Sequence, residues 1–170
     1  MKHILGIDPG LDGALAIVDV DTLQLVEVLR MPIRVVHKQR KLDGAALAEW
    51  LQRADDCVGA QTIQHAYIEE VHSRPRQAGV FDFGLNTGIL HGMLYATGIP
   101  FSLVSPQQRK GHYGIRRVGD ETKADKKTEA RQIATQLFPS HAKEFVRVKD
   151  DGVAEAALIA RYGAVLQGGK

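Results

Sequence analysis

Apolar residues come in short bursts along the first thirty positions, each burst closed by acids, glycine or proline. KHILGID (2–8) has the length and content of a strand, the DPGLDG turn follows, and ALAIVDV (14–20) is a second strand. LQLVEVLR (23–30) alternates apolar with polar positions and reads as a third, joined by the DT turn at 21–22. Short connections make these three an antiparallel meander. DGAALAEWLQRADD (43–56) then switches to helical spacing, with Ala46, Leu47, Trp50 and Leu51 on one face. HAYIEEV (65–71) is a fourth strand and IPFSLVSP (99–106) a fifth, ending at a proline. Helices are predicted over 79–98, over 124–139 up to Pro139, and over 150–167. The fourth and fifth strands follow helices, so right-handed crossovers lay them parallel to the first. The expected fold class is α/β, a mixed five-stranded sheet flanked by helices, in one domain over 1–170.

The helix over 79–98 has a further pattern. Gly84, Gly88, Gly92 and Ala96 recur every four residues and form one stripe. Glycine inside a helix costs about 1 kcal/mol against alanine, so such a stripe points to something packing very close, either the sheet or a partner's helix.

Composition narrows the class without naming it. Hydrophobic residues make up 44% of the chain and charged residues 25%, which suits a globular core. The single cysteine, Cys57, excludes an intramolecular disulfide and any CxxC metal knuckle. No apolar run reaches the length of a membrane span, and the N-terminus lacks a signal-like or transit-like pattern. A cytoplasmic location, in a bacterium or a phage-infected host cell, is expected ahead of an organelle. Net charge is only +2, but the cations are clustered. IRVVHKQRKL (33–42) and RKGHYGIRR (109–117) each hold four Lys or Arg and no acid, and TKADKK (122–127) adds three lysines. Basic segments on a nearly neutral chain suggest a surface that meets phosphates.

The acids are placed as sharply. In open α/β sheets, sites form beyond the carboxyl ends of parallel strands. Asp8 ends the first strand, and Glu69 and Glu70 lie near the end of the fourth. Side chains alternate along a strand, so only one of that pair can share Asp8's face. The last helix adds Asp151 and Glu155, four residues apart on one face, with Asp150 competing for the role of Asp151. Asp8 itself has two readings, metal ligand or turn former before Pro-Gly; Asp12 is read as a turn residue. Converging carboxylates repel unless a cation neutralises them, and an all-oxygen set favours Mg²⁺ or Mn²⁺. Two such ions suit in-line displacement at phosphorus.

ILGIDPG opening a meander, IEE on the fourth strand, the glycine-striped helix and DDGVAEAALIA at the end together resemble the RuvC-like Holliday junction resolvases of the RNase H-like superfamily, most closely the phage and organellar branch. The resemblance covers nearly the whole chain in order. It implies that Asp8, Glu69, Asp151 and Glu155 hold two divalent ions, with Mg²⁺ expected and Mn²⁺ as a substitute, and that Lys110 and Lys126 stand near the scissile phosphate. It implies a homodimer that nicks two opposed strands of a four-way DNA junction. Lys38, Arg40, Arg116, Arg117, Lys123 and Lys127 in the basic segments, with Arg74 and Arg76 in HSRPRQAGVFDF, would hold DNA backbone phosphates. Phe81 and Phe83 would stack on bases, core packing being the alternative. Two departures stand out: the last motif is D-x-x-x-E rather than D-x-x-D, and Gln107, Gln108 and Arg109 occupy positions where many relatives have a tryptophan before the lysine. The same acids would serve a nuclease for RNA–DNA hybrids, and a junction-binding protein without cleavage is a further reading. An actin-like ATPase would need two lobes, more than 170 residues supply.

Overall fold

The computed structural model describes residues 2–58, 63–71, 79–115 and 123–169, except the side chains of 55–58 and 123–127. Strands β1 (His3–Asp8), β2 (Ala14–Asp19) and β3 (Leu25–Arg30) form the expected meander. Strands β4 (Ile33–Val36) and β5 (Gln39–Leu42) make a separate hairpin before helix α1 (Gly44–Val58). Strand β6 (Ile63–Glu69), helix α2 (Val80–Thr97) and strand β7 (Phe101–Val104) follow. The chain ends with α3 (Pro106–His112), α4 (Lys123–Leu137), 3₁₀ turns at Pro139–Phe145 and Val148–Asp150, and α5 (Asp151–Leu166). The main sheet has the order β3-β2-β1-β6-β7, with β6 parallel to β1 and β7 parallel to β6. Among the described residues no helix is long and apolar enough to cross a membrane.

The β4–β5 hairpin, α3 and the two 3₁₀ turns lie outside the elements expected from the sequence. The basic run at 33–42 folds as the β4–β5 hairpin, its tip turned by positive φ at His37 and Lys38. SPQQRKGH folds as α3, where Ser105 and Gln108 form a capping box and Pro106 opens the helix.

Strand alternation sorts the core into two layers. Leu5 and Ile7 of β1, with Leu15 and Ile17 of β2 and Ala66 and Ile68 of β6, face α1 and α2. Ile4, Ala14, Ala16, Val18 and Tyr67 face α5. Each such fully buried Leu, Ile or Val contributes roughly 1.5–3 kcal/mol. Helix α5 is covered on nearly all sides, by the sheet and by α4, which explains its content of Ala and Gly. A Cβ on Gly6 would run into the backbone at Ala156 and Ala160, so α5 lies directly on β1. A Cβ on Gly152 would meet the Asp12 carbonyl and Gly13 Cα, so the first turn of α5 sits against the turn after β1. Parity does the rest: Asp8 shares the α5 face with Ile4 and Gly6, and Glu69 shares it with Tyr67.

The glycine stripe of α2 does not meet the sheet. Gly84, Gly88 and Gly92 have open space where a Cβ would stand, and Ala96 is exposed with them. The buried side of α2 is Asn86, Leu90 and Leu94.

Candidate active site

Asp8, Glu69, Asp151 and Glu155 line one cleft of 510 Å³, walled by the Gly10–Gly13 turn and by Val148 and Lys149. β1 and β6 are paired through Ile7 and Ile68, so the next residues, Asp8 and Glu69, stand side by side at the strand ends. The sequence reading brought these four together, and it chose Glu69 over Glu70. Glu70 lies outside the cleft and extends β6 with an N–H bond to the Val104 carbonyl.

Asp8 is not required by its turn. The Gly13 N–H donates to the Gly10 carbonyl at 2.9 Å and the Met31 N–H to the Gly13 carbonyl at 2.9 Å, which closes the loop through backbone alone. Asp8 Oδ1 accepts one long bond, from the Gly10 N–H at 3.4 Å. Burial, and next the charge of Glu69, push its carboxyl up to about 7. Glu155 is also raised, first by burial; Arg109 opposes that shift, the Glu69 charge adds to it, and Lys110 opposes it in turn. Carboxylates that hold each other's protons on are poised for a cation, and the donor set is all oxygen, which fits Mg²⁺ or Mn²⁺.

Arg109 was not assigned a role from the sequence, yet it is the centre of the cluster. Its side chain is 1% exposed. Nη2 donates to Glu69 Oε1 at 2.9 Å and also meets Glu155 Oε2. Its Nε and Nη1 are buried with no hydrogen-bond partner. Among the described residues no three acidic or imidazole groups stand close enough together to hold one ion; Glu69 and Glu155 are engaged by Arg109 instead. The signal for Arg109 lay in the α3 capping box, which starts a helix where β7 ends, beside β6, and brings its fourth residue back toward Glu69.

The structure places Asp150 and Asp151 differently. Asp151 lines the cleft, with Arg131 Nη1 at 3.4 Å. Asp150 is fully buried and clamped: Arg30 Nη2 donates to it at 2.7 Å, and Arg147 donates through its backbone N–H, Nε and Nη2. Burial alone would raise the Asp150 carboxyl, but the bonds from Arg147 and Arg30 outweigh it and hold it at about 2. Asp150→Ala is expected to lower stability by about 2–3 kcal/mol, because two arginines lose their partner and a cavity opens. Denaturant melts at neutral pH check this. A depressed carboxyl contributes above its ordinary pKa and loses that contribution as pH falls, so the gap between wild type and variant should close between about pH 4 and pH 2.

The predicted phosphate contacts are only partly described. Arg40 Nη2 binds Asp12 Oδ1 at 2.6 Å and the Leu11 carbonyl at 3.1 Å, which ties the β4–β5 hairpin to the cleft turn. Lys41 Nζ meets Asp82 at 2.5 Å and ties the same hairpin to the start of α2. Arg40 is therefore a brace whose cation is shared with Asp12, and Lys38 is exposed at the hairpin tip. Lys110 lies on α3, near enough to Glu155 to favour its charged form. Lys123, Lys126 and Lys127 lie on α4, their side chains outside the described residues, as are Arg74, Arg76, Arg116 and Arg117. Phe81 is 81% exposed on the first turn of α2, while Phe83 is half-buried. Lys149 and Val148 at the cleft wall carried no sequence signal.

A meander, two parallel strands on the far side of β1 and helix α5 carrying acids to the strand ends make a mixed α/β sheet of the kind found in RuvC-type structures. The structure is similar to Thermus thermophilus RuvC in complex with a Holliday junction substrate, with a TM-score of 0.65 and 18% identity, over 99% of this chain and 97% of that one. It is similar to the yeast mitochondrial Holliday junction resolvase Ydc2 (TM-score 0.54, 18% identity, 98% of this chain and 79% of that one). It is also similar to the fowlpox virus Holliday junction resolvase (TM-score 0.58, 12% identity, 97% and 99%). At these identities the likeness is one of fold; no family model and no curated protein sequence matches the chain.

Proposed function

We propose that the chain is a structure-selective endodeoxyribonuclease that resolves four-way DNA junctions by metal-assisted hydrolysis. One observation carries the reading: four carboxylates from β1, β6 and α5 converge in a single cleft, in a fold shared with junction resolvases. Asp8, Glu69, Asp151 and Glu155 would hold two Mg²⁺ ions, or Mn²⁺ in their place. When bound, the ions supply an activated water and charge neutralisation on the phosphate being cut. The protein's part is to converge the acids at fixed strand ends. Lys110, beside Glu155, adds positive charge where a phosphodiester would approach. Lys126 on α4 is assigned the same task. Lys38 on the hairpin, with Lys123 and Lys127, Arg116 and Arg117, Arg74 and Arg76, would contact backbone phosphates, and exposed Phe81 offers a stacking face at the crossover. A labelled synthetic four-way junction incubated with Mg²⁺ tests the reading. Cutting should require the ion and stop with a chelator.

Paired cutting requires two active sites, so the protein is proposed to act as a homodimer. The open α2 stripe supports this: Leu85 and Tyr95 are exposed along the same face as the glycines, and a helix that is apolar on its outer side too calls for a cover. Gly88→Glu is expected to shift the protein from dimer to monomer in sedimentation, and to turn paired nicks into slow single nicks. A dimer that persists would move the interface elsewhere.

A further inference from the structure

Arg109 is unusual in its surroundings. A guanidinium stripped of water is expensive to bury unless charges face it. Its ionic partners are Glu69 and Glu155, both members of the cleft, and two of its nitrogens have no hydrogen-bond partner among the described residues. The core therefore does not explain its position; the acids do. Arg109 takes Oε1 of Glu69 and Oε2 of Glu155 through the same Nη2. A divalent ion would need those same two glutamates.

We propose that Arg109 is a resident, exchangeable cation of the acidic cleft: it holds Glu69 and Glu155 when no divalent ion is bound and yields them when the ions enter. The inference rests on the metal reading above and adds a regulatory element to it. Arg109 keeps the cluster folded without metal and sets the affinity with which metal is taken up.

The test is thermal unfolding of wild type and Arg109→Gln, with and without saturating Mn²⁺, together with calorimetric titration of Mn²⁺. Without metal the variant should melt ~5–10 °C below wild type, since Glu69 and Glu155 lose their internal cation. With Mn²⁺ most of that deficit should disappear, and the variant should bind Mn²⁺ about tenfold tighter, having no guanidinium on Glu69 and Glu155 to displace. A deficit of equal size with and without Mn²⁺ would make Arg109 a plain structural residue and overturn the proposal, as would unchanged or weaker Mn²⁺ binding. If the variant does not fold without metal, refolding in Mn²⁺ should recover it, and failure there overturns the proposal too. Wild type that takes up no Mn²⁺ would sink the metal reading itself. Wild type that binds Mn²⁺ beside a variant that Mn²⁺ does not rescue would sink only the exchange.

Discussion

Asp8→Asn should reduce metal-dependent cutting of a four-way junction by about a thousandfold or more, equivalent to some 4 kcal/mol of barrier. The substitution keeps the shape of the side chain and its bond from the Gly10 N–H, and removes only the charge. The same change should stabilise the metal-free protein at pH 8. Burial and the neighbouring Glu69 raise the Asp8 carboxyl from 3.8 to about 7, so its protonated form is the favoured one in the folded state. A carboxyl raised in this way contributes fully below its ordinary pKa and loses that contribution as pH rises through the folded value. Asparagine mimics the protonated form at every pH. The variant should therefore match wild type near pH 4 and exceed it by about 2 kcal/mol above pH 7, in denaturant melts without metal. Saturating Mg²⁺ should reverse the order, because only wild type gains from binding it. Loss of cutting together with gain of metal-free stability is hard to produce by misfolding, and it would mark Asp8 as a ligand held in an unfavourable state for function.

Glycine substitutions on α5's contact surface should be the most damaging structural changes. Gly6→Ala would place a methyl against the backbone at Ala156 and Ala160, where no side chain can rotate away. A loss of about 3 kcal/mol or more is expected, measured by thermal or denaturant unfolding. Gly152→Ala is the more informative variant. Its methyl would press on the Asp12 carbonyl and on Gly13 Cα, and so push the first turn of α5 away from the turn that follows Asp8. Asp151 and Glu155 move with that turn. A displacement near 1 Å would cost about a hundredfold in cutting rate while much of the fold survives. Equal activity and stability in both alanine variants would contradict the direct contact of helix and strand described above.

Much of this was legible in the sequence because it depends on parity and order. The apolar bursts at 2–8, 14–20 and 23–30 set the meander, and alternation admitted only one of Glu69 and Glu70 to the face of Asp8; the resemblance pointed to Glu69, which lines the cleft. Glu155 stood out as an acid inside an otherwise apolar helix, and it is indeed at a nearly buried position. What could not be read depends on long-range partners. Asp150 and Asp151 are adjacent and alike in sequence; only Arg30, 120 residues away, and Arg147 decide that Asp150 is the clamped one. Arg109 reads as one more cation in a basic run, and its burial depends on where α3 lands against β6. The basic run at 33–42 has few small turn formers, so its hairpin went unread; positive φ at His37 and Lys38 supplies the turn instead. The glycine stripe gave two options, and the open space beside it excludes packing on the sheet.

The central claim is that these four acids form a metal site for hydrolysis within junction DNA. The most direct measurement maps the nicks made in Mg²⁺ on a synthetic four-way junction, alongside an RNA–DNA hybrid and a linear duplex of the same sequence. The account predicts paired nicks, symmetrically placed on two opposed strands of the junction, with little cutting of the other two substrates and none by Asp8→Asn. Preferential cutting of the hybrid, or junction cutting that survives Asp8→Asn, would contradict it.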